Sequence, residues 1–150
     1  MLLYHGSYLE IKSPKILVGK YAKDFGMGFY CTILKEQAIR WASRYNSPIL
    51  NTYEYEKNPS SRIREFSEMT EEWLDFILFC RNGKKHDYEI VNGPMANDQI
   101  YNYISDYMDG AITREQFWAL ARFKHPTHQT AFCTEAALRD LKFIKSETAK

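Results

Sequence analysis

An excess of charge of either sign is missing from this sequence: 20 basic side chains stand against 19 acidic ones, a formal net charge of +1. A balance of that kind gives no global field to draw the protein onto nucleic acid or an anionic membrane. The local basic pairs, Lys84 with Lys85 and Arg40 with Arg44, read as solvated faces. Cysteine is scarce and odd in number. Cys31, Cys80 and Cys133 lie far apart with no CxxC spacing, which argues against a zinc site or a disulfide framework and for buried free thiols. Long apolar runs are absent too: none approaches the roughly 18–20 residues that span a bilayer. The opening MLLYHGSYLE lacks the basic start and long apolar stretch of a signal peptide. A soluble cytoplasmic protein with no membrane partner is expected. There is no repeat, low-complexity tract or interdomain linker.

Aromatic residues are plentiful, at 15% of the chain, and 11 of them are Tyr. Tyrosine suits half-buried walls where one end of the ring meets water or a ligand. The apolar share of 45% supports one core of ordinary size for a single domain of 150 residues. Short strands are expected at 2–5, 29–31, 49–55, 62–66, 87–92 and 129–133, with a loop over 6–28 punctuated by Gly6, Gly19, Gly26 and Gly28. Helices are expected after Thr32 (Leu34, Ala38, Trp41, Ala42 and Tyr45 inward), over 71–80, over 98–108, from the capping box at Thr113 to the break at Pro126, and after Thr134 with Leu138 and Leu141 inward. Residues 145–150 read as a polar tail and 68–123 as a helical insertion. Strands and helices mix without regular βαβ alternation, so the expected class is α+β.

Three pieces carry chemistry. His5-Gly6-Ser7 ends the first strand. Gly26, Gly28 and Tyr30 follow in FGMGFY, and Trp41 comes eleven positions after Tyr30. A late strand then opens at Gln129. In this order they resemble the catalytic domain of the poly(ADP-ribose) polymerases, within the ADP-ribosyltransferase superfamily. The whole chain is similar in look to uncharacterised small bacterial ADP-ribosyltransferase-like proteins. The resemblance covers about residues 2–45 and 126–144. It implies split antiparallel sheets forming an NAD⁺ cleft, with NAD⁺ as substrate.

Residue types at these positions fit that chemistry. Gly6 lets backbone groups approach a carboxamide closely. Tyr30 and Trp41 can flank a cationic nicotinamide ring, although Trp41 also has the spacing of a core face. His5 can bond a ribose hydroxyl, and Ser7 can add a second contact. Breaking the glycosidic bond builds oxocarbenium character that a group on the late strand can steady. Here Gln129 stands where the family has glutamate, and Ala38 where it often has serine. His5, Tyr30 and Gln129 are therefore the expected catalytic set. Asp98, on the polar segment that runs from Asp87 through Asp98, is the candidate substitute acid, and Glu135 at a helix start is a weaker one.

The expected activity is mono-ADP-ribosyl transfer to a macromolecular acceptor, protein or nucleic acid, with chain elongation disfavoured by Gln129. The resemblance also implies a toxin or stress effector with an antitoxin partner. NAD⁺ glycohydrolysis and a non-catalytic NAD⁺/ADP-ribose-binding module are the alternatives.

Overall fold

The computed structural model describes residues 1–16, 24–96, 98–121 and 127–149, with only the backbone of Asp98. Gly19, Asn97 and Pro126 lie outside the described residues. The fold is α+β, with two sheets and, among the described residues, five helices. No described helix is long and apolar enough to cross a membrane.

Three strands form the first sheet in the order β1 (Leu2–Ser7), β3 (Ile49–Tyr55), β7 (Leu141–Thr148), all antiparallel. Four form the second, in the order β2 (Phe29–Cys31), β6 (Gln129–Phe132), β5 (Ile90–Gly93), β4 (Ile63–Glu65). β2, β6 and β5 pair antiparallel, but β4 and β5 are parallel. The expectation of purely antiparallel sheets is corrected at this edge. A parallel pair needs a crossover, and helix α2 (Glu71–Arg81) supplies it between β4 and β5. The segment 68–123 is thus not wholly helical, since β5 belongs to it.

Helix α1 (Lys35–Ala42) starts later than expected. Leu34 occupies its N-cap without a side-chain bond, while the Thr32 hydroxyl accepts from the Leu34 N–H at 3.0 Å. Thr70 caps α2 by accepting from the Trp73 N–H at 3.2 Å, a contact worth about 1 kcal/mol. Helices α3 (Asp98–Met108) and α4 (Arg114–Ala121) follow, the latter opened by the expected capping box between Thr113 and Gln116. Thr134 caps α5, but that helix ends at Leu138. Leu141 and residues 145–148 of the expected polar tail belong instead to the strand β7. The reason is packing: Leu141 and Phe143 face the core of the first sheet, while Lys142 and Ile144 face solvent.

Among the described residues three buried clusters hold the molecule, the smallest being Ala38, Ala42, Leu50 and Ala149 between α1 and the first sheet. Trp73, Leu74, Ile77, Ile100, Ile104 and Phe117 lead the one between the helices and the second sheet. Leu3, Phe29, Tyr53, Ile90 and Phe132 lead the one between the sheets. All three cysteines are free; Cys31 and Cys80 are buried and Cys133 is half-buried.

Candidate functional site

The two sheets meet at one backbone bridge and then part. Tyr4 donates to the Thr32 carbonyl at 2.8 Å, and Thr32 donates back to the Tyr4 carbonyl at 2.9 Å. Strand backbone groups alternate in direction. Gly6 therefore turns its N–H and C=O to the same edge as Tyr4, opposite Tyr30 in the antiparallel register. The ladder does not continue there. The Tyr30 carbonyl takes its bond from His5 Nδ1, at 2.6 Å. A histidine side chain thus replaces a strand–strand bond, and the Gly6 backbone faces the opening between β1 and β2.

That contact fixes the state of His5. A carbonyl only accepts, so Nδ1 carries the proton. Burial lowers the imidazole pKa below its ordinary 6.5, against a smaller raising effect of the Tyr30 carbonyl. The ring is therefore neutral at pH 7, and Nε2 presents a lone pair. Phe29 holds the ring's plane by stacking, with centroids 4.3 Å apart.

Gly6 also seats the helix. A Cβ at this position would lie 2.1 Å from the Ala38 carbonyl oxygen and 2.7 Å from the Ala42 nitrogen. Only glycine lets α1 rest on β1 this closely. Trp41, next to Ala42, is half-exposed and is a member of none of the three clusters above. Among the described residues it makes no ring contact with Tyr30. A direct contact would fill the space that a sandwiched ring needs.

Tyr30 is half-buried with its hydroxyl committed. It donates to the Gly26 carbonyl and accepts from the Phe25 N–H at 3.2 Å. Gly26 makes the turn possible with a φ of +87°. Below the turn, His86 accepts the Tyr88 N–H on Nδ1 at 3.0 Å, so its Nε2–H donates to the Phe25 carbonyl at 2.8 Å. Burial, and then the nearby Cys133 and Asp24, push the Tyr30 phenol far up, so it stays protonated. Its ring is anchored at a set angle rather than free to swing.

Gln129 is 5% exposed. Tyr30 pairs with Ala131, so Gln129, two residues earlier, shares their face about 7–8 Å from Tyr30. His5 thus touches the Tyr30 backbone while its ring stacks on Phe29, and Gln129 shares the opposite strand face with the Tyr30 side chain. The start of β6 is tied down twice. The Gln37 amide donates to the His128 carbonyl at 2.6 Å and accepts its N–H at 3.2 Å, while the Thr127 hydroxyl spans Met95. Ser7 is the last residue of β1. It is 7% exposed, with its hydroxyl accepting from the Leu9 N–H at 3.4 Å, so it holds the turn after β1.

Of the two expected acids, the Asp98 side chain lies outside the described residues, and Glu135 is exposed to solvent at the start of α5. The carboxylate at Gln129 is Asp24, 8% exposed, whose Oδ2 accepts from Gln129 Nε2 at 3.2 Å and from the Ala96 N–H at 3.0 Å. Its position just before Phe25-Gly26 was the one available signal. A cavity of about 250 Å³ opens elsewhere, lined by Tyr55, Asn92, His128 and Thr130 among others. Among the described residues no group of His, Cys, Asp and Glu could hold a metal ion.

Burial lowers the pKa of His128 as it does that of His5. Both imidazoles take up a proton more readily once the chain unfolds. The unfolded chain then binds more protons below about pH 6.5. The stability these residues contribute is complete above pH 6.5 and is lost as pH falls from there toward their folded values. Urea midpoints should therefore decline between pH 7.5 and 5.5, and His5→Gln or His128→Gln should flatten part of that slope. A slope unchanged in both variants would mean that neither ring is held neutral by the fold.

A family model described as a protein of unknown function (DUF3990) matches residues 1–143. No curated protein matches the chain.

Proposed function

The chain belongs to the DUF3990 family, and we propose that it is a mono-ADP-ribosyltransferase with an ADP-ribosyltransferase-like fold, using NAD⁺ as substrate to modify a macromolecule. The observation that carries this reading is the break between β1 and β2, where the His5–Tyr30 contact replaces a ladder bond and leaves Gly6 facing the opening. The Gly6 N–H and C=O offer one donor and one acceptor, the complement of a carboxamide. Tyr30 gives the nicotinamide an anchored ring face, and Trp41 is the second wall. His5 Nε2 accepts a hydrogen bond from a ribose hydroxyl.

In the reaction the C–N glycosidic bond breaks and its electron pair leaves with nicotinamide. C1′ of the ribose carries the positive charge. An acceptor nucleophile attacks C1′ and releases a proton to solvent. The products are nicotinamide, the ADP-ribosylated acceptor and H⁺. Gln129 bonds the ribose 2′-hydroxyl as charge develops.

Labelled NAD⁺ incubated with the protein and a cell lysate should leave label on an acceptor. Free ADP-ribose instead would favour the glycohydrolase reading, in which water takes the acceptor's place. The neutral Gln129 favours one other reading, a module that binds NAD⁺ or ADP-ribose without cleaving it. Calorimetry with no nicotinamide release would select that one, and no binding at all would end all three. Binding should also weaken in acid, because protonated His5 Nε2 can no longer accept. The transferase reading implies an acceptor of protein or nucleic acid, and an effector role with a neutralising protein partner is proposed with it.

A further inference from the structure

The amide of Gln129 has one sensible orientation. Its oxygen cannot face the Asp24 carboxylate without repulsion, so Nε2–H donates to Asp24 Oδ2, at 3.2 Å. Oε1 is then the end turned away from Asp24. The Ala96 N–H bond to the same Oδ2, at 3.0 Å, fixes the carboxylate itself. Both side chains are buried, Gln129 at 5% and Asp24 at 8% exposure. In so enclosed a place a charged acceptor polarises the amide that donates to it and adds electron density to the amide oxygen. The reach of the Asp24 charge shows in its neighbours, since it helps to raise the pKa of Tyr30 and of Cys80, in both cases after burial.

We propose that Asp24 is a positioning residue for cleavage of NAD⁺: it holds the Gln129 amide with Oε1 presented to the ribose 2′-hydroxyl, and its charge, passed through the Nε2–H bond, makes Oε1 a stronger acceptor. The pair divides between two side chains what a single carboxylate would do at position 129. The proposal rests on the reading of the cleft given above. Asp24 does not touch the sugar; it acts through Gln129. Its influence should grow as positive charge develops at C1′, and so should fall on turnover rather than on substrate binding.

The test compares the parent with Asp24→Asn, Gln129→Glu and the double exchange Asp24→Asn/Gln129→Glu. Asp24→Asn keeps the shape and an acceptor for Ala96 but removes the charge. Its kcat for nicotinamide release should fall about tenfold or more, with KM for NAD⁺ changed less than about twofold. The double exchange keeps a hydrogen bond between the positions and moves the charge to position 129. It should return kcat to within about threefold of the parent. Gln129→Glu alone sets two carboxylates side by side, and one of them must hold a proton. Its activity should rise or fall with pH in a way the parent's does not.

An unchanged kcat in Asp24→Asn overturns the proposal, as does a loss in KM and melting temperature that the double exchange fails to restore. If Asp24→Asn does not fold, the side-chain amide resonances of Gln129 in the parent carry the test. They should shift as the Asp24 carboxyl titrates, and resonances that ignore that titration overturn the coupling. A parent that binds NAD⁺ and never cleaves it overturns this proposal but leaves the cleft as a binding site. A parent that does not bind NAD⁺ overturns the cleft reading, and this proposal with it.

Discussion

Gly6→Ala should lower the melting temperature by roughly 6–12 °C, corresponding to about 3 kcal/mol at 2–4 °C per kcal/mol. The added methyl would sit 2.1 Å from the Ala38 carbonyl oxygen and 2.7 Å from the Ala42 nitrogen. Both are helix backbone, so no side chain can swing aside to make room. Either α1 lifts from β1 or β1 bends away, and both movements disturb the opening that Gly6 faces. NAD⁺ binding should be lost with the packing. Gly83→Ala gives the comparison. That position is strained by a φ of +83° but has no neighbouring atom within 4 Å, and its substitution should cost about 1–2 kcal/mol. Thermal melts of the two variants decide the matter. If Gly6→Ala melts no lower than Gly83→Ala, the close seating of α1 is wrong.

Gln129→Ala should reduce turnover about a hundredfold, the usual loss when one preorganised polar partner of a developing charge is removed. Affinity for NAD⁺ should change less than about threefold, because the contact strengthens mainly as the glycosidic bond opens. Some stability is lost as well. Asp24 Oδ2 keeps the Ala96 N–H but loses the amide, and a hydrogen bond to a charged group is worth about 1.5–3 kcal/mol. Kinetics must therefore be measured well below the melting point of the variant. A Gln129→Ala protein that stays folded and turns over NAD⁺ at the parent rate removes Gln129 from the chemistry. One that loses affinity and turnover in equal measure assigns it to ground-state binding.

Much of the framework was legible because local patterns and local stability agree. The alternation in ILNTYEY marks β3 at its observed bounds, and the apolar spacing before Gly110 marks α3 at its own. β7 was hidden by composition. Lys145-Ser-Glu-Thr looks like solvent-facing tail, and the register with β3 shifts between Thr52 and Tyr53, so strict alternation fails along it. The parallel β4–β5 pair was hidden because pairing partners far apart in sequence leave no local mark. For the proposed site, His5, Gly6 and Tyr30 stood out by their types and order alone. The hydrogen bond by which His5 opens the sheet did not, since Tyr30 is 25 residues away. Asp24 was missed for the same reason. Its bonds to Ala96 and Gln129 cross 72 and 105 residues. The bond from the Leu9 N–H to the Ser7 hydroxyl is local, but nothing in the residue types foretold it.

The place of β7 governs how this chain reaches its final form. β3 is the middle strand of the first sheet, and its second neighbour is made of residues 141–148. During synthesis β1 and β3 can pair early, but the far edge of β3 stays open until residues 141–148 have left the ribosome. The second sheet waits as well, because β2 gains its partner β6 only after about a hundred further residues. Chain order therefore makes folding a late, concerted event rather than a progressive one. A product ending before residue 141 would present an unpaired strand edge with Leu50, Tyr53 and Tyr55 stripped of cover, a template for pairing with other copies.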